Sequence, residues 1–169
     1  MKTLLLVRHA QAEPMIQDGD DFYRPLTRLG QEVATIQGRY LREAQLVPQL
    51  IVTSDAARTL ETAKLLAEGL QLTHTIVIPN SRIYLAKCRD LSQIIEEFDD
   101  QYDCIMLVGH NPGIPALAEY LTGNLCYYFP NGGMYAVQMN IRHWCKIGIS
   151  GGIGAWINQN TSERTTILE

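Results

Sequence analysis

No apolar stretch in this 169-residue chain approaches the length of a membrane-spanning helix. The hydrophobic start, Leu4 to Val7, is cut off by Arg8, which makes it too short for the apolar region of a secretory signal. Cys88, Cys104, Cys126 and Cys145 are far apart, with no C-x-x-C pair and no histidine at zinc-site spacing, so no metal site is implied, although an even count permits two disulfides. Four reduced cysteines and a cytoplasmic location are the expectation. A net charge of -4 gives no overall reason to bind nucleic acid or an anionic membrane, although it leaves room for a local basic pocket. The glycines of "SGGIGAWINQ" do not follow a strand with G-x-G-x-x-G spacing, which excludes a dinucleotide site there. With 46% hydrophobic and 19% charged residues, the chain is ordinary globular material, and its length fits one domain over 1–169, with about 151–169 matching no pattern. There is no internal repeat or low-complexity tract.

What is present is an alternation of short apolar strands and helical patterns, the signature of an α/β fold on a mostly parallel sheet. "TLLLVRH" reads as the first strand. "LTRLGQEVATIQGRYLREA" reads as a helix capped by Thr27, with Leu29, Val33, Ile36 and Tyr40 on one face. "QLIVTS" is a second strand, and "DAARTLETAKLLAEGL" a helix with a stripe of Leu60, Ala63, Ala67 and Leu70, closed by Gly69. "HTIVIP" is a third strand and "DLSQIIEEF" a short helix capped by Asp90. "CIMLVGH" is a fourth strand, apolar throughout and so suited to a central position. In "NPGIPALAEYL" the Asn-Pro pair opens a helix, and "MYAVQMN" and "WCKIGIS" are further strands; Gly132 and Gly133 in "FPNGGMYAV" mark a turn.

Three strand ends carry the chemistry. Arg8 and His9 end the first strand, His110 ends the fourth, and Ser54 ends the second with Arg58 in the next helical turn. Ligands of open α/β sheets bind beyond the carboxyl ends of the strands, so two arginines and two histidines converge on one rim. Arginines suit phosphate through planar, permanently charged, bidentate donors. A neutral histidine with one nitrogen free suits nucleophilic attack on phosphorus. The adjoining cations should disfavour the imidazolium and keep His9 neutral. His9 is read as the nucleophile and His110 as a donor to the phosphoryl oxygens, with an exchange of these roles left open.

The ordered set "LVRHA", "RPLTRLGQE", "TSDAARTLETA" and "VGHNPG" resembles the histidine phosphatase superfamily, which includes cofactor-dependent phosphoglycerate mutases. The short length, "RPLT" and "GHNPGIPALAEYLTG" make it most similar to the compact SixA-type phosphohistidine phosphatases. The resemblance implies a single three-layer, phosphoglycerate mutase-like domain with helices on both faces of the sheet. It implies catalytic His9, Arg8, Arg58 and His110, with Arg8, Arg58, His110 and Arg24 binding phosphate and no metal or other cofactor. Ala10 replaces the usual motif glycine.

The superfamily usually adds a carboxylic acid for the leaving group. No glutamate stands in "PNSRIYLAKCRD", and of Glu13, Asp18, Asp20 and Asp21 the last is the candidate, being nearest "RPLT". A phosphorylated imidazole leaves more readily than an alkoxide and tolerates a poorer acid. The expected function is thus removal of a phosphoryl group from phosphohistidine in a signalling protein, through a covalent phosphohistidine on His9. Alternatives are a phosphatase of small phosphomonoesters or sugar phosphates, and a noncatalytic phosphate-binding protein. The expected partner is a histidine-phosphorylated domain or a small phosphomonoester, with no nucleic acid and no membrane, and the chain is expected to be a monomer.

Overall fold

Why the strands are apolar at nearly every position is plain from the computed structural model, which describes residues 1–15, 19–71, 76–149 and 151–157. Strand β1 (Lys2–Arg8) sends Leu4 and Leu6 to one face and Leu5 and Val7 to the other, and all four are fully buried. Strands β2 (Leu50–Thr53) and β4 (Cys104–Gly109) do the same: Leu50, Val52, Ile105 and Leu107 share a core with Leu4, whereas Ile51, Met106 and Val108 share the opposite core with Leu5. A strand covered on both faces has no solvent side to alternate toward. With β3 (Ile76–Pro79), β5 (Met134–Met139) and β6 (Gly152–Trp156), they form a six-stranded sheet in the order β3-β2-β4-β1-β5-β6. The first four strands are mutually parallel, and β5 is antiparallel to both its neighbours.

Helices α1 (Arg28–Glu43) and α2 (Ala57–Leu70) supply Leu41, Ala63, Leu66 and Leu70 to one core. On the other face α3 (Cys88–Glu96) and α4 (Gly113–Thr122) supply Leu91, Ile94, Ile95, Ile114 and Leu117. The expected three-layer α/β domain is therefore what forms. Among the described residues no helix is long and apolar enough to cross a membrane, and all four cysteines are free.

Several local expectations are corrected. Thr27 caps α1 as expected, its hydroxyl accepting the Gly30 N–H. The buried face of α1, however, is Gly30, Ala34, Gly38 and Leu41, while Leu29 is 59% and Ile36 49% exposed. The reason is a backbone-to-backbone crossing: a Cβ on Gly38 would strike the Leu66 carbonyl oxygen and come within 2.9 Å of the Gly69 Cα. Gly69 thus belongs inside α2 as a packing surface, and the helix ends on Gln71 in the left-handed region at φ 54°. Ala63 and Leu70 are buried in α2, with Leu60 and Ala67 only partly so.

Asp90 lies in the first turn of α3, where its carboxylate accepts the Lys87 backbone N–H. Pro112, not Asn111, occupies the cap of α4, and the Asn111 amide donates to the Phe129 carbonyl instead. "WCKIGIS" is not a strand. Trp144–Lys146 forms a 3-10 turn, because the Trp144 ring is drawn into the core, where its Nε1 donates to the Tyr102 carbonyl. The last strand, β6, falls in the segment that matched no pattern. Its glycines are the cause: a Cβ on Gly154 would overlap the Tyr135 ring, and one on Gly152 would sit 2.5 Å from Val137 Cγ1. The start of "HTIVIP" and residues 158–169 lie outside the described residues.

Candidate active site

Register places the two histidines. Parallel pairing sets Arg8 opposite Gly109, so the next residues, His9 and His110, emerge side by side from the carboxyl ends of β1 and β4. The His9 N–H donates to the Gly109 carbonyl at 3.1 Å, and the ring centroids lie 5.4 Å apart. From the neighbouring strand end, the Ser54 N–H donates to the Val108 carbonyl and brings its hydroxyl to 3.0 Å from His110 Nε2. On the other side the Gly132 N–H donates to the His9 carbonyl, and the φ of +69° at Gly132 bends the chain back into β5.

The hydrogen bonds fix the tautomers. A carbonyl only accepts, so His9 Nδ1, 2.8 Å from the Ala10 oxygen, carries the proton. Arg58 Nε donates to His9 Nε2 at 3.3 Å, confirming that this nitrogen holds a lone pair. Arg58 Nη2 likewise donates to His110 Nδ1 at 3.3 Å, so the His110 proton is on Nε2 and is directed at Ser54. Both rings are buried. Burial pushes His9 down to about 4, with Arg58 and Arg8 adding to the shift and the Ala10 carbonyl opposing it. Burial, then Arg58 and His9, push His110 down to about 3. Both are neutral at physiological pH. The cations contribute as expected, but loss of water is the larger cause.

Arg58 is buried at the start of α2, and the donors are shared with a loop the sequence placed nearby. Its Nη1 donates to the Asp21 carbonyl at 2.6 Å and its Nη2 to Asp21 Oδ2 at 2.7 Å. Arg24 binds the other Asp21 oxygen through Nε at 2.9 Å and Nη2 at 2.8 Å, and its Nη1 donates to the Glu13 carbonyl. The Ala10 N–H donates to the Thr62 hydroxyl, which donates to the Arg58 carbonyl, tying the loop after β1 to the first turns of α2. Arg8 Nη1 donates to the Phe129 carbonyl at 2.9 Å, while its buried Nε has no partner. An unpaired buried guanidinium N–H is a donor suited to an anion.

The structure thus brings Arg8, His9, Arg58 and His110 together, and Asp21 and Arg24 with them. The charges around Asp21 favour its ionised form. Burial alone would raise its pKa, but Arg58 and the bonds from Arg24 and Tyr84 outweigh it and hold the carboxyl below its usual range. An ionised carboxylate has no proton to give. Arg24 is turned to Asp21 and to the Glu13 carbonyl. Asp20 caps a short 3-10 turn by accepting the Phe22 N–H, Glu13 is exposed, and Asp18 lies outside the described residues.

Tyr84 is the residue that sequence reading missed. Its hydroxyl donates to Asp21 Oδ2 at 3.1 Å, its ring stands edge-on to His110 with centroids 5.4 Å apart, and the Arg58 guanidinium carbon lies 5.9 Å from the ring. The segment "PNSRIYLAKCRD" offers only a lone tyrosine, and no spacing ties it to the motifs. A cavity of about 480 Å³ beside Arg8 is lined by Gln11, Leu29, Tyr128 and Pro130 and not by His9, Arg58 or His110. No group of three His, Cys, Asp or Glu is arranged to hold a metal among the described residues.

Comparison with known proteins follows the same lines. The family model of the histidine phosphatase superfamily (branch 1) matches residues 4–80. An uncharacterised chloroplastic protein of Arabidopsis thaliana is 29% identical over 130 residues, which cover 72% of this chain and 60% of that protein. The match therefore spans less than two thirds of that relative. A solved structure assigned as phosphohistidine phosphatase SixA from Agrobacterium tumefaciens has a TM-score of 0.73 at 26% identity, covering 82% of this chain and 92% of the other. A protein histidine phosphatase SixA complexed with tungstate has a TM-score of 0.74 at 16% identity, over 92% of this chain and 94% of the other. A mycobacterial glucosyl-3-phosphoglycerate phosphatase with VO3 has a TM-score of 0.68 at 17% identity, over 96% and 100%. The latter two show the shared fold. The sequence resemblance to the superfamily, and the phosphoglycerate mutase-like architecture it implied, are borne out.

Proposed function

We propose that this chain, matched by the histidine phosphatase superfamily over residues 4–80 and folded like the SixA structures, is a phosphatase that takes a phosphoryl group from phosphohistidine. The observation that carries the reading is the tautomer of His9: Nδ1–H held by the Ala10 carbonyl, and the Nε2 lone pair facing the Arg58 guanidinium.

His9 Nε2 attacks phosphorus in line. The peripheral oxygens take up the free Arg8 Nε–H and the donors of Arg58, each charge-assisted bond contributing about 1.5–3 kcal/mol. When Arg58 turns to the phosphoryl oxygens, His110 Nδ1 is freed. Ser54 can donate to His110 Nε2 as well as accept from it, so the His110 proton can sit on Nδ1 and point at a phosphoryl oxygen without leaving Nε2 unpaired. Throughout, the Ala10 carbonyl keeps the distal His9 proton in place, and it stabilises the positive charge the ring acquires on phosphorylation. Water then attacks the phosphohistidine, and His9 leaves as a neutral imidazole. The arginines neutralise the phosphoryl charge during both steps.

The test is phosphate release from a histidine-phosphorylated carrier protein, with p-nitrophenyl phosphate in parallel, by wild type and His9→Ala. Release from the carrier that His9→Ala abolishes is expected. His9-dependent hydrolysis of the ester alone would move the substrate to a small phosphomonoester, and binding of phosphate without either turnover would make this a noncatalytic binding protein.

A further inference from the structure

We propose that Asp21 selects phosphohistidine over phosphate esters by accepting a hydrogen bond from the distal imidazole N–H of the leaving group. The inference rests on the reading of His9 as nucleophile and phosphohistidine as substrate. It concerns how the site distinguishes a P–N from a P–O bond.

Asp21 stands across the Arg58 guanidinium from His9, since that one side chain donates both to His9 Nε2 and to Asp21 Oδ2. One oxygen is bound by Arg24, the other by Arg58 and Tyr84, so all four lone-pair directions of the carboxylate are filled. These partners come from three parts of the chain: Arg24 from Asp21's own loop, Arg58 from α2, and Tyr84 from the segment before α3. His110 faces the same cluster from the end of β4 through Arg58. A phosphoryl group entering beside His9 draws the Arg58 Nη2–H away from Asp21 Oδ2. In the proposed step this exchange opens one Asp21 lone pair to the distal N–H of the leaving ring.

The proton balance shows which substrate makes use of it. Phosphohistidine protonated on its distal nitrogen is an imidazolium. As the P–N bond breaks, its electron pair returns to the ring and a neutral imidazole departs, still holding its distal N–H. His9 undergoes the reverse change, gaining phosphorus on Nε2 while keeping its own distal N–H on the Ala10 carbonyl. No proton changes place during the transfer, so no general acid is required. Asp21 does for the substrate's imidazolium what the Ala10 carbonyl does for His9, with the added attraction of a full charge. An ester gains nothing from this group: its leaving alkoxide is anionic, lacks an N–H, and is repelled by a carboxylate that has no proton to donate.

The experiment compares wild type, Asp21→Asn, Asp21→Ala and Asp21→Glu using free 3-phosphohistidine and p-nitrophenyl phosphate. Asp21→Asn keeps the shape and removes the charge, and should lower the ratio of kcat/KM for phosphohistidine to that for the ester at least tenfold. Asp21→Ala should lower it further and Asp21→Glu should restore part of it. In wild type the alkaline limb for phosphohistidine should lie at higher pH than in Asp21→Asn, because the carboxylate favours the protonated substrate. Equal losses on both substrates, with unmoved pH limbs, would overturn the proposal by reducing Asp21 to a group that orders Arg58. Lack of His9-dependent phosphohistidine turnover in the wild type would instead overturn the function on which it rests.

Discussion

At the scale of single residues, the decisive feature is that each polar atom around His9 has one chemical option. Ala10 O only accepts and Arg58 only donates, so His9 is held neutral with its proton on Nδ1 and its lone pair on Nε2. The pair "RH" at a strand end points to such a site but does not indicate which nitrogen reacts. That depends on a carbonyl one residue further on, whose direction is set by the turn. Asp21 was legible as a neighbour of the pocket, but its ionised state was not, since the Arg58 and Tyr84 bonds come from 37 and 63 residues away. The expected titration follows from burial. His9 should remain neutral as pH falls from 7 to 5 and take up a proton only near 4, below the ordinary 6.5. Nitrogen-15 NMR of the imidazole should show the Nδ1–H tautomer across that range. A midpoint near 6.5, or a proton on Nε2, would contradict the geometry.

Among the elements, the strands were easy to read and the helix faces were not. Strands buried on both sides are uniformly apolar, and β1, β2 and β4 were recognisable from that alone. In α1 the apolar residues Leu29 and Ile36 lie on the outside, because the inner face must be small enough for α2 to touch it. Hydrophobic periodicity is blind to a face built from Gly30, Ala34 and Gly38. The crossing matters to the site because α2 carries Arg58 in its first turn. Gly38→Ala should therefore cost about 1–3 kcal/mol through overpacking and also lower turnover by displacing Arg58, whereas Ile36→Gln on the exposed side should change stability by no more than about 0.5 kcal/mol. Thermal unfolding of the two variants checks this, and equal stability would mean that the helices can part without cost. Strand β6 went unread for a related reason, its alternate glycines leaving space for Tyr135 and Val137 rather than showing a side-chain pattern.

For the whole molecule, a net charge of -4 coexists with a cationic cradle because the topology gathers what the sequence scatters. Neighbouring parallel strands bring residues 9 and 110 into contact, the adjacent strand adds Ser54, and the helix after it returns Arg58 to the same rim. This convergence was legible in advance because ligands of such sheets gather at strand carboxyl ends. What was not legible is the cluster beside Arg58, where Asp21, Arg24 and Tyr84 meet through loops of irregular path. The account stands on His9 as the atom-bearing nucleophile. The most direct measurement is rapid alkaline quenching of a His110→Ala variant during turnover of a phosphorylated substrate, followed by peptide mass spectrometry. One acid-labile phosphoryl group on His9 is the predicted result; phosphate release with no phosphoryl group on His9, or with the group on another residue, would contradict it.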